Sequence, residues 1–67
     1  MEENADYLTV SKVYGTGGRV HYVAEHRRYV PREDSWSIVW MGEPATRPKA
    51  QAEAKGRAFI EGLEYRP

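Results

Sequence analysis

Two histidines, His21 and His26, share one stretch of this 67-residue chain with four arginines, Arg19, Arg27, Arg28 and Arg32. These are residue types that ligate metals, shuttle protons or grip phosphates. Glu25 is the one acid among them, and Glu33 and Asp34 follow directly. Each chemistry can be tested against spacing. On a strand, a separation of five places the histidines on opposite faces, roughly 16 Å apart. No third ligand stands at a useful spacing, so no metal site is expected. Nucleophilic catalysis lacks its parts. There is no cysteine, and no serine sits on a strand-to-helix elbow beside a base. Glu33 and Asp34 would need a pocket to split their acidities, and a chain this short hardly encloses one. No catalytic residue and no cofactor is therefore assigned.

Gly15-Thr16-Gly17-Gly18 has the glycines of a phosphate-cradling loop, but that motif needs a following Lys-Ser/Thr and a helix. Here Arg19-Val20-His21-Tyr22 reads as strand. The glycines are read instead as a tight hairpin, where they supply positive φ angles.

The basic run remains as a contact surface. Arg19, His21, Arg27, Arg28, Tyr29 and Arg32 are the expected partner-binding residues. Arginine and tyrosine are enriched at protein interface hot spots. On an open sheet they can also stack on bases and contact phosphates. The chain as a whole does not favour the nucleic-acid version. Ten basic residues balance ten acidic ones, for a formal net charge of zero, whereas proteins that hold phosphates by bulk charge are clearly basic. Reversing both Arg27 and Arg28 to Glu is expected to abolish binding with little change in melting temperature.

The elements that position these residues follow from pattern. The length allows a single small domain, residues 1–67. Met1 to Ala5 reads as a frayed end. Strands are expected over about 6–14, 19–30 and 36–41, where β-branched and aromatic residues concentrate. A bend or bulge is expected near His26. Pro31 stops the second strand, and Pro31 to Ser35 has turn chemistry. A helix is expected over about 47–63, with Thr46 as N-cap and Pro48 in its first turn. Ala52, Gly56, Phe59, Ile60 and Leu63 form one apolar stripe at helical spacing. Phe59, Ile60 and Leu63 of this stripe, with Trp36, Ile38 and Trp40, make the expected core. Glu53 and Arg57 are an expected i,i+4 ion pair. Gly56 is expected where the helix lies close to an indole of the sheet.

The fold class is therefore α+β: a three-stranded antiparallel meander with one C-terminal helix packed on one face, in β-β-β-α order. One helix covers one face of the sheet. The other face is left open, and it should be more apolar than a solvated surface. A protein or ribonucleoprotein partner, nucleic acid, or a second copy joined through an edge strand or a sheet face could cover it. No apolar run is long enough for a membrane span and no signal-like segment is visible. With the absence of cysteine, these features point to the cytoplasm.

In size, cysteine absence, the meander around Gly15-Thr16-Gly17-Gly18, and the terminal helix in Ala50-Gln51-Ala52-Glu53-Ala54, the chain loosely resembles very small phage and mobile-element proteins, anti-CRISPR inhibitors among them. The resemblance implies a non-catalytic plug that docks on a larger complex, such as CRISPR-Cas, in the host cytosol. The layout also looks like the three-stranded DNA-binding arms of some integrases, which implies a nucleic-acid-binding domain instead.

Overall fold

The computed structural model describes residues 6–67. The end expected to fray, Met1 to Ala5, lies outside the described residues. Strand β1 (Tyr7–Tyr14) and strand β2 (Val20–Val30) form the expected hairpin, antiparallel from Tyr7↔Arg27 to Tyr14↔Val20. A 3-10 turn over Thr16–Gly18 joins them, and Gly17 and Gly18 take φ of 73° and 78°. A second 3-10 turn, Pro31–Glu33, leads through Asp34 at φ 50° into strand β3 (Ser35–Met41). Helix α1 spans Arg47–Glu61, starting after Thr46 with Pro48 in its first turn.

The fold is α+β, as the pattern predicts, with one addition. Two residues, Glu64–Tyr65, form strand β4, which lies parallel to β1 (Tyr7↔Glu64, Leu8↔Tyr65). The sheet order is β3-β2-β1-β4. The return after α1 is set by Gly62, which is left-handed at φ 70°. Its N–H donates to Phe59 O at 3.3 Å, while the Leu63 N–H donates to Ala58 O at 2.8 Å. This pair of bonds is the Schellman pattern that closes a helix end.

The core differs from expectation. The helix buries Ala50, Ala54 and Ala58, not the Ala52, Gly56, Phe59, Ile60 stripe. Phe59 and Ile60 are 88% and 83% exposed. The alanines recur every four residues, so they form a continuous stripe on the opposite side of the helix. Their small side chains let the helix lie close to Leu8 and Ala24, both fully buried. Val10, Trp40, Leu63 and Tyr65 pack around this centre. Leu63 and Trp40 therefore do belong to the core, half-buried at its margin. Gly56 does not approach an indole: it is exposed, and a Cβ there would meet nothing within 4 Å.

Trp36 and Ile38 leave the expected core because of a bulge, and it stands where a bend was expected. Pairing of β2 with β3 shifts between His26 and Arg27: His26 faces Trp40, but Arg27 faces Ile38. Val39 is the extra residue. One inserted residue inverts the alternation of everything before it. Trp40 thus points to the helix face, while Ile38 and Trp36 point to the open face.

Arg57 also departs from the expected pair. It bridges to Glu61 at 3.3 Å rather than to Glu53, and its guanidinium lies 3.9 Å from the centre of the Trp40 ring. The helix end is thereby tied to β3 over the indole's polarised face.

Candidate docking face on the open side of the sheet

Residues on the sheet face opposite α1 follow from strand alternation. They are Tyr7, Thr9, Ser11 and Val13 on β1, and His21, Val23, Glu25, Arg27 and Tyr29 on β2. Trp36, Ile38 and Met41 complete the face on β3. The face has three zones.

At one end sits an aromatic group. Trp36 packs edge-on against Tyr7, with ring centroids 5.0 Å apart at 72°, and tilted against Tyr29 at 5.3 Å. Arg66 lies over the Tyr7 ring at 4.3 Å. The Tyr29 hydroxyl donates to Asp34 Oδ1. Such aromatic pairs hold one another in place.

At the centre is a polar cluster. Glu25 is 4% exposed, although no element covers this face. Its Oε1 accepts from Ser11 Oγ at 2.8 Å, from Arg27 Nε at 2.9 Å and from Arg27 Nη2 at 2.7 Å. The Glu25 hydrogen bond is the main cause that raises the Arg27 pKa above its ordinary value. A buried carboxylate is tolerable only with such partners.

Along β3 runs an apolar edge. Trp36, Ile38 and Met41 are 41%, 49% and 52% exposed. Strand β3 is the outer strand of the sheet and Ser35–Met41 holds no charged residue. Free sheet edges are usually protected by lysine, proline or a bulge. Here only the bulge at Val39 is present.

The six residues expected as contacts do not converge. Arg27 and Tyr29 lie on this face, and so does His21, further towards the hairpin turn. Arg28 points to the helix side. It meets Asp6 through Nε at 3.1 Å and Nη2 at 3.0 Å, and the buried His26 donates from Nε2 to the same carboxylate at 3.0 Å. Arg19 and Arg32 flank β2 at opposite ends, separated by about 36 Å of extended chain, and both are exposed. Arg27 and Arg28 are anchored in the fold, so reversing both would set new carboxylates against Glu25 and Asp6. Retention of the melting temperature is not expected from this geometry.

Sequence reasoning assigned Trp36 and Ile38 to the core and so missed them as surface residues. The signal for them is indirect: a strand without charge cannot hide both of its faces under one helix. Among the described residues, no three His, Cys, Asp or Glu side chains group as a metal site would require. Among the described residues, no helix is long and apolar enough to cross a membrane either. Comparison of the chain with protein-family models, curated proteins and solved structures finds no match.

Proposed function

We propose that this two-layer α+β domain is a non-catalytic binding module that docks a protein partner through the open sheet face and the β3 edge. The observation that carries the reading is the half-exposed apolar set of Trp36, Ile38 and Met41 beside a polar centre already fixed by internal hydrogen bonds. A rigid aromatic and apolar patch loses little entropy on binding. Arg27, in that polar centre, and Tyr29, in the aromatic group beside it, both expected from the sequence as contacts, take part in this face. In its finer form the partner is a large host-defence assembly such as a CRISPR-Cas complex, and docking blocks a surface of it. Nucleic-acid binding has less support, because Arg27 is occupied by Glu25 and Arg28 by Asp6 on the other face.

The test is a quantitative pull-down from lysate of the host cell, with and without nuclease, beside Ile38→Lys with Met41→Lys. Lysines suit an edge strand, so circular dichroism of the variant should match wild type. The expected outcome is one protein partner recovered in stoichiometric amount. It should survive nuclease and fall at least ~10-fold in the variant, the size of a hot-spot loss. Recovery that disappears with nuclease would transfer the reading to nucleic acid, and recovery unaffected by the variant would move it to another surface.

A further inference from the structure

The outer face of α1 carries the two most exposed large apolar side chains among the described residues, Phe59 and Ile60. They share that face with Ala52 and Gly56, whose small side chains open a shallow track along the helix. Beside Ala52 lies an open groove of about 510 Å³, lined by Glu43, Pro44, Ala45, Lys49, Ala52 and Glu53. The protein therefore presents an apolar knob and a recess on the same side of one helix. They are offset by about 12 Å along its axis.

A twofold interface must be self-complementary, with each patch meeting its own copy. Positions equidistant from Gly56 stand level in an antiparallel helix pair: 52 is level with 60, and 53 with 59. The knob of one chain then reaches the recess of the other, twice. Gly56 lies on the axis, where a missing side chain permits the close helix approach of roughly 8 Å. The stripe of Ala52, Gly56, Phe59 and Ile60 is itself uncharged, the charges of Glu43, Lys49 and Glu53 rim the groove, and the zero formal net charge gives no bulk repulsion between copies. We infer that α1 pairs antiparallel with α1 of a second copy of this chain, seating Phe59 and Ile60 in the partner copy's groove beside Ala52. This goes beyond the docking reading and uses the opposite side of the molecule.

A helix about 22 Å long buries less than the roughly 1,600 Å² of a standard interface. The dimer is accordingly weak and dependent on concentration. Because the chain has no cysteine, a single introduced thiol reports the geometry. Gly56→Cys has room for its side chain and should cross-link to its own copy under mild oxidation. Lys49→Cys, displaced about 21 Å from its counterpart in the antiparallel pair, should not. Sedimentation from about 10 µM to 1 mM should show a monomer–dimer equilibrium, weakened at least ~100-fold by Phe59→Glu, a central truncation with added charge. Phe59 is 88% exposed, so this variant should keep the wild-type melting temperature as a monomer. A wild-type chain that stays monomeric up to 1 mM overturns the inference. So does cross-linking at both cysteines, which marks a parallel pair, or a dimer that Phe59→Glu leaves intact. Loss of the dimer does not bear on capture through Ile38 and Met41, so the two readings fail separately.

Discussion

Gly56 and Gly62 lie on the same helix and its cap, yet substitution by alanine should act in opposite directions. Gly56 is helical, exposed and free of neighbours within 4 Å. Replacing a mid-helix glycine by alanine removes backbone entropy from the unfolded chain, so Gly56→Ala should stabilise by about 0.5–1 kcal/mol. Gly62 holds φ 70°, where a Cβ is strained, so Gly62→Ala should destabilise by roughly 1 kcal/mol or more. Urea unfolding of both variants measures the two signs. Asp6 offers a pH-dependent counterpart. Burial by itself would raise its carboxyl pKa, but hydrogen bonds from Arg28 and His26, and their charges, hold it below the ordinary 3.8. A depressed carboxyl adds stability above its unfolded value and loses it as pH falls through the folded one. Wild type should therefore exceed Asp6→Asn in stability at neutral pH, and the gap should close below about pH 4. A gap constant from pH 7 to pH 2 would remove Asp6 as the source.

At the level of elements, α1 is held by alanines and β3 is turned by one inserted residue. The Ala50, Ala54 and Ala58 stripe works through proximity: small side chains bring the helix onto Leu8 and Ala24, where dispersion contacts are close-packed. Enlarging one member should push the layers apart. Ala54→Leu is expected to cost about 1–3 kcal/mol, read as a lower urea midpoint, while the same change at the exposed Ala52 should be nearly neutral. The bulge at Val39 has a comparable reach. It gives Trp40 to the core and Ile38 to the surface, so the docking face owes its composition to a single unpaired position.

At the scale of the whole molecule, the apolar surfaces assigned to docking and to self-pairing lie on opposite sides of the sheet–helix sandwich. The sheet side carries Trp36, Ile38 and Met41; the helix side carries Phe59 and Ile60. A domain this small has only one core, centred on Leu8, and cannot cover more apolar surface with its own chain. Pairing through the helices leaves both sheet faces pointing outward. Such a dimer would present two docking faces, and linked sites gain avidity without any new contact.

Much of the fold was legible from local chemistry. The Gly15–Gly18 turn, the stop at Pro31, the helix start with Pro48 in its first turn, and the three strands and helix each follow from residues acting on their own backbone; Thr46 stands at the N-cap as expected, without a side-chain capping bond. So did the expectation that one sheet face stays open, since one helix covers one face. The facing of side chains on α1 and β3 was not legible. A helix with an apolar stripe on one side and alanines on the other offers two candidate buried faces, and hydrophobicity alone selects the larger residues. Only packing distance against the sheet selects the alanines. Likewise strand alternation places Trp36, Ile38 and Trp40 together until a bulge intervenes, and a bulge is a property of the pairing of β2 with β3. The contact residues Arg27 and Arg28 were visible as charges, but their carboxylate partners are distant in sequence or buried by the sheet. Element identity is a local free energy written residue by residue. Which face is buried is decided by the fit between elements, and that fit exists only once they have met.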